Sequence, residues 1–174
     1  MAAIVDIREF NGGSPGTPGT PTTKTSGTIR FKDADDANVD LINPIVRPGT
    51  GSVFSYEKIL RLRIGATGPT GSITSPRAFS DGSPGFGTGV TMEAGVIGVA
   101  GYEAPDSANS SIATTDFFTL TSGSPQAMDT IETGPYSGTN VDIADFLYLQ
   151  AEVASTSSPG LTPTEVLTLA YDET

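Results

Sequence analysis

Hydrophobic and polar residues alternate with a period of two along most of this chain, the spacing that places successive side chains on opposite faces of a strand. In VFSYEKILRLRIG, Phe54, Tyr56, Lys58, Leu60, Leu62 and Ile64 share one side, Ser55, Glu57, Arg61 and Arg63 the other, and Ile59 breaks the pattern. That run predicts a half-buried strand. NVDIADFLYLQAEV alternates more cleanly: Val141, Ile143, Leu147, Leu149, Ala151 and Val153 fall on one side, Asp142, Gln150 and Glu152 on the other. Phe146 and Tyr148 stand among the polar set, so this strand packs on both faces or meets another chain with its second face. A helix is the competing reading of residues 141–153, because Ala, Leu and Glu favour helices; the alternation and the β-branched start decide for a strand.

Shorter strands are expected at AAIVDIREF, GTIRFK, SITSPRAF, GVTMEAGVIGVA, TDFFTLT and EVLTLAYDE. Between them DGSPGFGTG, TSGSPQ and STSSPGLTP carry the Gly, Ser and Pro of turns. Pro76 inside SITSPRAF lacks a ladder donor, which calls for an edge strand or a bulge. Many short strands with such punctuation give an all-β fold, an antiparallel β-sandwich or a jelly-roll-like arrangement, without crossover helices. The division expected is an N-terminal strand with a Gly/Pro/Thr-rich arm or loop over residues 1–25 and a β-sandwich domain over 26–174.

The arm is GGSPGTPGTPTT, residues 12–23. From Gly13 it runs as three collagen-type triplets in register, far too few for a triple helix unaided. The simpler reading is a polyproline-like arm or surface loop within one subunit. The alternative is that it lets the first strand pair with a neighbouring subunit, which makes Ile4, Val5, Ile7, Phe10, Pro15, Pro18 and Pro21, together with Phe146 and Tyr148, candidate inter-subunit contacts.

Composition narrows the chemistry. The 174 residues hold 20 acidic against 9 basic side chains, a net charge of -11. Phosphate backbones are repelled by such a surface, so no nucleic-acid partner is expected. With no cysteine there is no disulfide framework or thiolate metal site, and with no histidine the Ser-His-Asp and Cys-His arrangements are excluded. No apolar run approaches a membrane span, and MAAIVDIREF reads as a start without a cleaved signal.

The acidic run DADDANVD is the nearest approach to a site. Asp33, Asp35, Asp36 and Asp40, with Asn38, offer hard oxygen ligands for a cation such as Ca²⁺, but the spacing matches no EF-hand loop, and a solvated hairpin is the plainer reading. GFGTG at residues 85–89 has no following Lys and reads as a tight turn. Asp142, Asp145 and Glu152 could in principle form a glycosidase pair, yet Trp is absent and the aromatics sit at core-like positions. Arg61 and Arg63 suit cross-strand ion pairs or an inter-subunit contact. No enzyme activity and no cofactor are expected.

The order SGTIRFK, SYEKILRLRIG, RAFSDGSPGFGTGV, DFFTLTSGSP, DFLYLQAEV and LTPTEVLTLAYDE resembles a group of small virion structural proteins of tailed bacteriophages, over roughly residues 26–174. The resemblance implies assembly. It makes the chain a capsid decoration or cement protein on the virion surface, synthesised in the host cytoplasm. Its partners would be the major capsid protein or other virion proteins and further copies of itself, a trimer among the options. A neck, tail or receptor-contacting component is the alternative, and a carbohydrate-binding domain a more distant one.

Overall fold

Residues 3–24, 27–65, 71–160 and 162–174 are described in a computed structural model, and most of the alternating stretches become strands of two antiparallel sheets. In chain order they are β1 (Val5–Ser14), β2 (Thr17–Thr23), β3 (Ser52–Phe54), β4 (Lys58–Ile64), β5 (Ile73–Phe79), β6 (Val90–Ile97), β7 (Thr115–Asp116), β8 (Gln126–Ala127), β9 (Val141–Ala154) and β10 (Thr168–Glu173). The larger sheet runs β2-β1-β4-β9-β6-β7, with β3 beside the far end of β9; the smaller runs β10-β5-β8. The all-β sandwich expected from the alternation is what the chain forms. The helical elements among the described residues are single 3-10 turns at Val99–Gly101 and Phe117–Thr119, and no helix there is long and apolar enough to cross a membrane.

β9 is the central strand. Its inward residues Leu147 and Leu149 join Leu60 of β4 and Met92 and Ala94 of β6 against Ala78, Phe117, Phe118, Leu120 and Met128, which closes the core between the sheets. Residues 28–31 form no strand: GTIRFK instead lays Ile29 and Phe31 against this core. The long alternating run at 53–65 is broken at Ser55–Glu57 into β3 and β4. Pro76 sits where β5 carries a bulge. Two residues, Ser75 (φ 52°) and Pro76, face one residue of β10 between the pairs Thr74↔Asp172 and Arg77↔Ala170.

The N-terminal tract differs from the expected extended arm. Residues 12–23 form most of a hairpin in which Glu9, Phe10, Asn11 and Gly13 pair with Thr22, Pro21, Thr20 and Pro18. Pro15-Gly16 makes the turn, the proline with its fixed φ and the glycine at φ 72°. Pro18 and Pro21 are tolerated because β2 is the edge of its sheet, where a missing N–H leaves no neighbour unpaired. Tyr102 latches the hairpin: its carbonyl accepts from the Gly16 N–H at 2.7 Å and its hydroxyl donates to the Gly12 carbonyl at 2.6 Å. The expected boundary between residues 25 and 26 lies outside the described residues, as does Ala2, where the first strand was expected to begin.

Strand exchange through β1 is also replaced. β1 pairs with β4 of the same chain from Val5↔Ile64 to Phe10↔Ile59 and with β2 from Arg8↔Thr23 to Ser14↔Thr17, so its partners lie within the chain. Phe10, Phe146 and Tyr148 are buried together with Ile59, Tyr102 and Ala113 on the outer face of the large sheet, and residues 97–113 of the same chain cover them. Phe146 meets Phe10 and Tyr102 edge-on at 5.0 and 5.1 Å between ring centroids. The second face of β9 therefore meets its own chain, which leaves these three aromatics no surface to offer another subunit. Of the remaining contact candidates, Ile4 is exposed, Val5 and Ile7 are partly buried against the core, and the prolines lie on the hairpin.

Candidate functional site

A charged clamp lies on the inner face of the large sheet. β-strand alternation puts Glu9 of β1 on the same side as Ile7, and Lys58 of β4 on the same side as Leu60. Both side chains are 1% exposed and pair at 3.0 Å. Lys24, just past β2, reaches the other Glu9 oxygen at 3.2 Å. The two ammonium groups then donate to main-chain carbonyls of the acidic run, Lys58 to Asp36 and Lys24 to Ala37, both at 2.6 Å. Lys32, also buried, donates to both Asp36 oxygens at 3.0 Å and to Asp40 at 2.9 Å. A segment without regular structure is thereby fastened to the sheet at Asp36 and Ala37, and Lys32 ties Asp36 to Asp40 within it.

The acidic run is occupied by the chain's own donors, with the Lys32 ammonium between Asp36 and Asp40. Asp36 and Asp40 share Lys32, and each also accepts a main-chain N–H two residues on, from Asn38 and Ile42. Asp35 accepts from Asn11 Nδ2 at 2.8 Å and from the Gly12 N–H at 2.6 Å, and Asp33 is exposed. Among the described residues no group of three or more carboxylates is placed to hold a metal ion. The expected solvated hairpin is thus a pinned loop, and the cation it surrounds is an ammonium. Hydrogen bonding to Asp40, offset by burial and reinforced by Asp36, raises the Lys32 pKa above its usual range. Burial pushes the Asp36 carboxyl up, but Lys32 and the Asn38 N–H outweigh it, while Lys32 and the Ile42 N–H hold Asp40 low. The carboxylate contributions are present above the ordinary Asp value of about 4 and are lost as pH falls through the lowered values; that of Lys32 persists below about pH 10.4 and is lost at higher pH as its raised value is passed.

All three lysines of the chain, Lys24, Lys32 and Lys58, are buried. An amine-reactive ester should therefore leave them unmodified in the native protein, with labelling confined to the α-amine, and should reach all three in urea. Peptide mass mapping reads the difference, and fast native labelling of Lys58 would mean an open clamp.

Past the clamp the loop exposes aliphatic side chains: Val39 is 48% exposed, Leu41 63%, Ile42 64% and Val46 72%. These are four of the eight large hydrophobic residues exposed among the described residues, gathered within eight positions. The loop is held at both ends. The Asp33 N–H donates to the Asn43 carbonyl at 2.9 Å, and Arg47 donates to the Ser157 carbonyl at 2.9 Å. Beside it lies a cleft of about 380 Å³, lined by Asp33, Ile45, Val46, Ser52, Val53, Phe54 and Ser107. Sequence reading missed this row. NVDLINPIV has neither the period of a strand nor that of a helix, and the only cue was a run of aliphatics outside both patterns.

The other carboxylates do not converge. Asp145 is fully buried at a bulge where Ala144 has φ 68°, and it accepts from the N–H groups of Thr130, Ile131 and Glu132 and from the Thr130 hydroxyl. Asp142 lies 3.6 Å from Arg8; burial raises its pKa, partly offset by Arg61 and Arg63. Glu152 is ten residues from Asp142, roughly 30 Å along the strand. Arg61 stacks over Phe146 at 5.1 Å and donates to the Ala144 carbonyl, and Arg63 donates to Asn140. GFGTG forms the turn into β6, with Gly87 and Gly89 at positive φ.

No family model, curated protein or solved structure matches the chain. Its function has to be read from its own residues.

Glu57 is a buried acid just before β4, beside Ser110. Burial raises its pKa, the Ser110 hydroxyl partly offsets this, and Asp106 and Glu103 add to the rise. A raised carboxyl costs stability above its folded pKa and nothing once both states are protonated. Glu57→Gln, which keeps an acceptor for Ser110, should therefore raise the urea midpoint at pH 7, and the gain should vanish near pH 3. A loss of stability at pH 7 would show that the charge is favourable where it stands.

Proposed function

We propose that this chain is a non-enzymatic structural protein of a virus particle of the tailed-phage type, a decoration protein that binds the outer shell and stabilises it through contacts between neighbouring subunits. The observation that carries the reading is the row Val39, Leu41, Ile42 and Val46, exposed on a loop whose base is fixed by buried charges. Exposed aliphatics on an ordered support are what a protein-binding surface requires, because the ordering entropy has already been spent on folding. The resemblance of SDGSPGFGTGV and LTPTEVLTLAYDE to small virion structural proteins suggests the setting. The charge of -11 keeps free copies soluble until a specific contact joins them.

The test is copy number. Purified particles of the phage that encodes the chain should carry it at a count comparable to the major capsid protein, and particles lacking it should regain heat resistance when the purified chain is added back. A count fixed at a single small ring places it in the neck or tail, and absence from particles removes the virion reading. Binding to a glycan array, with no particle association, would favour the carbohydrate-binding alternative.

A further inference from the structure

A strongly acidic molecule offers few places where a second copy can approach. The loop at residues 38–46 is one. Under and around it stand Lys24, Arg30, Lys32, Arg47 and Lys58, and with them Glu9, Asp33, Asp35, Asp36 and Asp40. Five cations and five acids cancel, so the net charge of -11 is carried by the rest of the chain. The acids at its margin are Asp106, next to Ser107 of the cleft, Glu57, whose N–H donates to the Asp106 carbonyl, and Glu152, paired with Phe54. This neutral corner is also where half of the exposed large aliphatics gather.

The loop exposes Leu41 and Ile42, and the adjacent cleft offers Ile45, Val46, Val53 and Phe54 among the polar Asp33, Ser52 and Ser107. Among the described residues β3 has one strand partner, β9, so no strand pairs with its other edge. Exposed aliphatics and a cleft side by side on one chain can be satisfied reciprocally about a two-fold axis, which closes the assembly at two copies. Residues 38–54 with 106–109 number about twenty, the share of each partner in a standard interface.

We propose that two copies of this chain meet here, the loop of each seated in the cleft of the other. Like charge on the remaining surface opposes the approach at long range, so added salt strengthens the pair. An interface built on exposed ion pairs would weaken instead. The proposal shares with the shell reading only the view that the loop is a binding surface, and its test needs no particle. A chain that pairs but coats nothing fails the shell reading alone; a chain that coats particles as a monomer fails this one alone.

The experiment is sedimentation velocity on the purified full chain, from low to several hundred micromolar, at low and high salt. The expected species has twice the 17.8 kDa chain mass and grows with salt. Leu41→Asp with Ile42→Asp should weaken pairing by roughly a hundredfold or more, as loss of two central anchors does, with the circular dichroism spectrum unchanged. A second measurement uses the absence of native cysteine. Ile42→Cys chains mixed with Val53→Cys chains should form a mixed disulfide dimer under mild oxidation, faster than either chain alone. A monomer at every concentration and salt, an oligomer that survives the double substitution, or pairing that salt weakens would each overturn the proposal.

Discussion

Replacing Glu9 with glutamine is expected to cost about 3–5 kcal/mol, because it leaves the ammonium groups of Lys24 and Lys58 buried without their shared counter-charge. That is a large part of the total for an ordinary domain, about 5–15 kcal/mol. The urea midpoint should fall steeply, and the loop carrying Leu41 should become sensitive to a protease that cuts at aliphatic residues, since the main-chain anchors at Asp36 and Ala37 hang on those two lysines. Arg77→Ala is the control. Its pair with Asp172 at 3.0 Å is partly exposed, and such pairs contribute about 0–1 kcal/mol. If Glu9→Gln costs no more than Arg77→Ala, water reaches the clamp and the loop is not held as described. A triple replacement of Glu9, Lys24 and Lys58 by apolar residues of similar size tests a different point. Global stability can survive it, since buried ion pairs are replaceable by good packing, but the carbonyls of Asp36 and Ala37 lose their donors and the loop loses its fixed place.

The clamp was partly legible in the alternation. Lys58 falls on the apolar side of its strand, with Leu60, Leu62 and Ile64, and in IVDIREF Glu9 shares parity with Val5 and Ile7. A charge on the apolar face of a strand predicts a buried partner. What the pattern could not supply was the partner, because Lys24, Lys32 and Asp36 come from segments without period. The same holds for the outer face. Phe146, Tyr148 and Gln150 occupy alternate positions of β9, and all three serve the segment that covers them. The Tyr148 hydroxyl accepts from the Glu103 N–H and donates to the Glu103 carbonyl, and Gln150 bonds the Ser110 N–H and the Ala108 carbonyl. A polar residue in such a row reads as solvated until the fold shows the loop above it. The hairpin was hidden for a related reason: the Gly-Thr-Pro triplets look like an extended polyproline arm, and only the place of β2 at the sheet edge makes two prolines compatible with a strand.

Gly95→Val is expected to be the most damaging single change on the outer face. Gly95 pairs with Tyr148 across β6 and β9, on the side where residues 97–113 lie over the sheet. A Cβ at this position would overlap the Ile112 carbonyl oxygen and press on the Ala113 Cα. Both are backbone atoms, fixed by the Thr114 N–H bond to the Ala94 carbonyl and by the Ser110 hydroxyl, which accepts from the Ile112 and Ala113 N–H groups. A flexible side chain could step aside; this segment cannot without giving up its anchors. Overpacking alone costs about 1–3 kcal/mol, and valine adds two methyl groups in the same place. If the segment lifts away, Phe10, Ile59, Tyr102, Phe146 and Tyr148 lose their cover, and Tyr102 releases the Gly12 and Gly16 contacts of the β1–β2 hairpin. The loss should therefore reach roughly 4 kcal/mol or more, with dye binding that reports exposed aromatics in a chain that still shows a strand-rich spectrum. Gly49→Ala, where an added Cβ meets nothing within 4 Å, should stay within about 0.5 kcal/mol of the parent. Equal midpoints for the two variants would mean that residues 97–113 do not rest on β6, and Phe146 and Tyr148 would again be free to meet another subunit.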